Sequence, residues 1–213
     1  MPMSPLQHNS ASAVASAQEF SSEERSQLLR LAHDSISSAL EHREISTEPP
    51  TPHFAEPRGV FTSIYLRRDG PAHDRPGHDR QEGALRGCVG YVLPTCQVYR
   101  AVAETARAAA FDDNRFPPVT REESPHLAIE LSILSPPQSI EPEEIEIGRH
   151  GLLISWQGHR GLLLPQVPVE HAWDRTMFLE QTCRKAGLPP DVWQKGATIE
   201  AFTAEVFGEK SGQ

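Results

Sequence analysis

The chain is short of positive charge. Its 20 Lys and Arg stand against 29 Asp and Glu, for a formal net charge of −9. Neutralising phosphates needs a concentrated basic surface, and no Lys/Arg block supplies one, so no nucleic-acid partner is expected. Long apolar runs are also missing. None approaches the roughly 20 residues that cross a bilayer, so no membrane partner is expected either. Met1 to Gln18 has no basic start and no apolar stretch, and does not read as a secretory signal. Cysteine is scarce. Cys88, Cys96 and Cys183 form no even framework and no Cys-x-x-Cys, and read as reduced thiols of a cytoplasmic protein. The 10 histidines include no His-Glu-x-x-His and no zinc-finger spacing, so no metal is expected; His73 and His78 share an Asp-rich loop fit only for adventitious binding. No glycine loop has the setting of a dinucleotide or phosphate cradle, and no cofactor is expected.

What is present suits a globular protein. The 213 residues are 38% hydrophobic and 23% charged, enough for one sizeable domain or two small lobes around a shared core. Residues 1–19 read as a disordered tail. Ser21 with Glu24 fits a capping box, and Leu28, Leu29, Ala32, Ile36, Ala39 and Leu40 predict a helix over 22–42. Gly59 to Leu66 reads as a strand, Arg67 to Ala84 as a charged surface insertion, and Leu85 to Leu93 as a second strand. Val98, Val102, Ala106 and Ala109 mark a helix with Thr95 as its cap. A loop over 112–125 leads to a strand over 127–134. Strands over 152–156 and 161–164 flank a turn at Gln157-Gly158. A helix capped by Asp174 carries Phe178, Leu179, Thr182, Cys183 and Ala186 on one face and stops at Gly187. Ile199 to Phe207 reads as the last strand, and 209–213 as a tail.

Both halves therefore run strand, strand, helix, strand. Each sets Arg-Gly at the start of its second strand (Arg86-Gly87, Arg160-Gly161) and proline at its end (Pro94, Pro165). The expected fold is α+β, with two similar units sharing one core.

Leu85-Arg86-Gly87-Cys88-Val89-Gly90 is the stretch richest in chemistry. Glycine inside a strand marks a bulge or a close approach by a ligand or backbone. Arginine nearby favours thiolate over thiol. Cys88 reads as a nucleophile or redox thiol, or as a small buried apolar residue. His126, His159 and His171 are the bases that folding would have to deliver. Arg86, Gly87 and Gly90 read as an anion pocket, or Arg86 as one end of an internal salt bridge to Glu130 or Asp113. Asp113 to Pro117 frames the site, or is a helix-exit turn with Phe116 plugging the core; turn chemistry favours the second. Gln166, after the corner at Pro165, reads as a ligand donor or as a partner for loop backbone. Glu130 reads as a solvent-facing strand residue and Cys183 as core.

The order of several pieces resembles the AMMECR-type domain family. They are Leu85 to Gly90, Asp113-Asn114-Arg115-Phe116-Pro117, Ile129 to Ser135, Gly161 to Val167 and Phe178 to Pro189. The resemblance spans most of 20–208, which it marks as the domain. It implies an α+β fold with a duplicated unit and a curled, barrel-like sheet, and no established activity. It also implies a pathway shared in bacteria with a Memo-like protein and a radical-SAM protein. Val89 in place of the family's frequent isoleucine and the insertion over 67–84 are departures.

Two functions follow from these residues. One is a binding or pathway-accessory module for a small molecule or protein, with a pocket built by Arg86, Gly87, Gly90, Asp113, Arg115, Phe116, Pro165 and Gln166. The other is an enzyme acting through Cys88. The missing triad, metal set and cofactor loop favour the first.

Overall fold

The computed structural model describes residues 19–67 and 84–209. The expected tails and most of the insertion fall outside them. Ser21 starts helix α1 (Ser22–Leu40) as the capping box predicts: its Oγ accepts the Glu24 N–H at 3.3 Å, and the Glu24 carboxylate accepts the Ser21 N–H at 2.8 Å. Strands β1 (Gly59–Leu66) and β2 (Ala84–Tyr91), helix α2 (Val98–Phe111), strand β3 (Leu127–Leu134) and the two-residue strand β4 (Gln138–Ser139) follow. The second half holds β5 (Gly151–Trp156), β6 (His159–Leu163), α3 (Gln166–Glu170), α4 (Arg175–Lys185), β7 (Thr198–Phe202) and β8 (Ala204–Gly208).

The strands form two antiparallel sheets of four, in the orders β2-β1-β3-β8 and β4-β7-β5-β6. Helices α1 and α2 cover the first, and α4 packs on β5 and β6. Val60, Thr62 and Ile64 of β1 are buried on the helix side, where the Thr62 and Thr105 hydroxyls share a hydrogen bond of 2.8 Å. Phe61, Ser63 and Tyr65 take the other face and are half-buried, as the period of two requires. Phe178, Leu179 and Cys183 on α4 pack with Leu152, Ile154 and Ile199 in a second core.

The curled sheet shared by both units is replaced by two open sheets. Among the described residues no strand joins both, and each sheet ends on edge strands. The halves are instead linked by an exchange: β4 follows β3 in sequence but pairs with β7, and β8 follows β7 but pairs with β3. The chain crosses where the Ser135 N–H donates to the Thr203 carbonyl at 2.9 Å and the Thr203 N–H donates to Ser135 Oγ at 3.0 Å. The single last strand expected over 199–207 is therefore broken at Thr203, because its two parts serve different sheets.

Other differences are local. Gln97, not Thr95, precedes α2, and no side chain caps it. Pro165 does not end a strand at a corner but opens the short helix α3. Glu19 and Glu209, at the inner ends of the expected tails, are held: the Glu19 N–H donates to Glu205 at 2.7 Å, and Glu209 accepts from His33 at 2.8 Å and Arg67 at 3.2 Å.

Close helix approach fixes two glycines. A Cβ on Gly87 would lie 2.0 Å from the Ala109 carbonyl oxygen of α2, and one on Gly161 would lie 2.3 Å from the Ala186 nitrogen at the end of α4. In register, Ile64 stands between Gly87 and Ile129, and Ile154 between Gly161 and Ile199. Gly87→Ala and Gly161→Ala should each lower stability by about 1–3 kcal/mol in chemical denaturation, the usual range for forcing atoms into a packed site. A change within about 0.5 kcal/mol, typical of a surface substitution, would contradict this packing.

Candidate functional site

Strand β2 is an edge strand with a bulge at Arg86. Ile64 pairs with Gly87 and Tyr65 with Leu85, so Arg86 is the extra residue. A bulge re-aims the side chain it carries. The Arg86 guanidinium is turned inward: Nε meets Glu123 Oε1 at 2.7 Å, Nη2 meets Oε2 at 3.0 Å, and Nη1 and Nη2 donate to the carbonyls of Pro117 and Pro118 at 2.7 and 3.1 Å. The two side chains are 8% and 1% exposed. The internal salt bridge is the arrangement found, and its partner is Glu123 rather than Glu130 or Asp113. Glu123 also accepts the Thr120 N–H at 2.8 Å. Sequence reasoning missed it because one of two adjacent glutamates, Glu122 and Glu123, in a polar loop carries no periodic signal.

Cys88 turns its backbone groups outward from the sheet. Its N–H donates to Asp113 Oδ2 at 2.9 Å, and its carbonyl accepts from Arg115 Nη2 at 3.3 Å. Asp113 and Arg115 are themselves joined, Nε to Oδ1 at 2.9 Å and Nη2 to Oδ2 at 2.7 Å. The pair thus occupies the place of a neighbouring strand at this point of the edge. The Asp113 side chain is 5% exposed and that of Arg115 57%. Hydrogen bonds from Arg115 outweigh burial, and with the Cys88 N–H they hold the Asp113 carboxyl well below the usual carboxylate range. Phe116 lies under the Arg115 guanidinium, 5.5 Å from ring centre to Cζ, and is half-buried rather than a core plug. Val119 fills the core there instead.

The Cys88 side chain lies on the sheet face away from the helices. Ser63 pairs with Cys88 on one side and Glu130 on the other, so these three form one row across β2, β1 and β3. Ser63 Oγ donates to Cys88 Sγ at 3.3 Å. All three are half-buried, and Cys88 is outside the apolar core. Cys183 is core, and burial pushes its thiol pKa up.

Protein atoms fill the space at the Cβ positions of both flanking glycines. The Ala109 carbonyl faces Gly87, and the Phe61 ring lies 2.2 Å from where a Gly90 Cβ would stand. Pro165 and Gln166 do not join the site. Pro165 is buried and Gln166 exposed, and no hydrogen bond or ion pair among the described residues links either to residues 84–91 or to Asp113 and Arg115. Of the proposed bases, His171 stacks on Trp173 at 4.7 Å, His159 is exposed on β6, and His126 sits in the turn before β3.

Two features elsewhere differ in kind. Glu19, His53 and Glu56 place three possible metal ligands within 4.8 Å of one another. Arg58 is bonded to both carboxylates and His53 to Glu24, so a guanidinium already supplies the positive charge. A groove of about 500 Å³ beside the strand exchange is lined by Ser135, Gln138, Glu146, Arg149, His150 and Phe202, none of them in the Cys88 row.

Comparison with known proteins places these residues in context. A family model described as AMMECR1 matches residues 29–207. Protein TK0174 of Thermococcus kodakarensis is 43% identical over 193 residues, covering 86% of this chain and 89% of that protein. Protein MK0488 of Methanopyrus kandleri is 41% identical over 198 residues, 88% and 89% of the two chains. The crystal structure of an uncharacterized protein, PH0010 of Pyrococcus horikoshii, superposes with a TM-score of 0.65 at 38% identity, over 88% of this chain and 96% of that one.

The geometry makes two predictions for stability. Arg86→Met strands a buried carboxylate and should cost about 3–5 kcal/mol, whereas Arg86→Met with Glu123→Leu should recover much of it. Equal losses in the single and double variants on urea denaturation would show that the pair is not the source. The depressed Asp113 carboxyl contributes stability above its unfolded pKa of about 4, and this is lost as pH falls toward the folded value. Arg115→Ala should therefore shrink the stability difference between about pH 7 and about pH 3; an unchanged difference would remove Asp113 as the acid-sensitive group.

Proposed function

The chain belongs to the AMMECR1 family, and from that premise we propose that it is a binding module working at the β2 edge and the sheet face around Cys88. The observation that carries this reading is the hold on Cys88. Asp113 and Arg115 meet its N–H and C=O as another strand would. Arg115 is mostly exposed and exchangeable, so a partner segment can take its place at the edge. Arg86, committed to Glu123, orders the loop that brings this clamp. The partner candidate supplied by the family resemblance is a Memo-like or radical-SAM protein, met in the cytoplasm, where the three free cysteines stay reduced. The duplication belongs to the same reading, and the matching Ile64-Gly87-Ile129 and Ile154-Gly161-Ile199 rows support it.

One observation favours the enzyme alternative. The Ser63 hydroxyl donates to the Cys88 sulfur, and Glu130 shares their row. A nucleophilic thiol needs an acceptor for its own proton. Ser63 is the donor in this contact.

Binding of the full chain to a purified Memo-like protein separates the readings. A module should keep its affinity within about threefold in Cys88→Ser and lose about tenfold or more in Arg115→Glu, which reverses a charge at the contact. Loss of binding in neither variant would contradict the assigned edge. A Cys88 thiol alkylated rapidly at neutral pH in the native protein, with Cys183→Ala as control, would favour the enzyme.

A further inference from the structure

We infer that strand β6 is a docking edge for an extended acidic segment of another protein, a site separate from Cys88. The Gln157-Gly158 turn has φ of 48° and 85°, the left-handed pair of a two-residue hairpin. In such a hairpin Trp156 and His159 are the hydrogen-bonded pair, so alternation turns the N–H and C=O of Arg160 and Leu162 away from β5. Neither residue's backbone has a partner beyond β5 among the described residues. The other edges are managed differently. Asp113 and Arg115 hold β2 at Cys88, β4 is only two residues long, and Glu205 of β8 binds the Glu19 and Phe20 N–H groups beside it. Strand β6 has five residues and no such cover among the described residues.

Charge selects the occupant. His159 and Arg160 are exposed on β6, and among the described residues Arg160 uses only Nε, on Ser155 Oγ at 3.1 Å. Gly161 packs on Ala186, which brings the last turn of α4, with Arg184 and Lys185, beside the strand. Lys185 has no ion pair among the described residues, and Arg184 has only Glu180 at 3.6 Å. This basic strip stands on a chain of net charge −9. A second copy would set basic strip against basic strip, which is unfavourable, whereas an acidic strand would gain both backbone bonds and complementary charge.

The test uses the full chain, ¹⁵N-labelled, and two synthetic hexapeptides, alternating Glu-Val and alternating Lys-Val. At low salt the Glu-Val peptide should shift the Arg160 and Leu162 amides and slow their exchange, with affinity about tenfold above that for Lys-Val, a difference that salt erases. Arg160→Glu with Lys185→Glu should invert the preference while the remaining amide spectrum stays native. Shifts that avoid residues 159–163, or a preference that the double variant leaves unchanged, would overturn the assignment. So would concentration-dependent self-association through β6 in sedimentation, which would name a second copy as the occupant.

Discussion

The buried pair of Arg86 and Glu123 is the interaction on which the candidate site depends. One end stands on the β2 bulge, and the other on the loop that leads from α2 to β3. With the Pro117 and Pro118 carbonyls also bound, the guanidinium fastens that loop along the strand edge. The same loop carries Asp113 and Arg115 to Cys88. A buried ion pair contributes little net stability against an apolar substitute, but removing one partner is costly. Its effect here is positional. It decides which residues stand at the edge, and so what the edge can recognise.

Much of the architecture was legible in the sequence, for reasons that can be assigned. The Ser21-Glu24 box, the alternation of β1 and β3, the Gln157-Gly158 turn and the Asp174 cap are local signals with local causes, and each appears where expected. The exchange of β4 and β8 was not legible. An apolar run cannot say which sheet its two halves join, and the Ser135–Thr203 contact marks where they part. The α3 turn was lost for a related reason: Pro165 punctuates a strand end and a helix start equally well.

The site was half legible. Glycines at 87 and 90 pointed to a bulge or a close approach; the bulge falls on Arg86, and the atoms that approach the glycines belong to Ala109 and Phe61. Asp113 and Arg115 were named as pocket residues, and their hydrogen bonds go to each other and to the Cys88 backbone at the edge. Arg86 was named for its charge, and its charge is neutralised within the fold. Ser63, in contact with the Cys88 sulfur, had no signal beyond being a small polar residue on the outward phase of a strand. Cross-strand neighbours come from register, and register is set by the whole sheet.

Amide hydrogen exchange at Cys88 tests the central dependence most directly. The Cys88 N–H does not touch Arg86, and its acceptor is Asp113. In the wild type it should be protected despite lying on an edge strand. In Arg86→Met it should lose protection together with residues 112–120, while β1 and β3 keep theirs. Protection of Cys88 that survives Arg86→Met unchanged, in a protein still folded, would contradict the account.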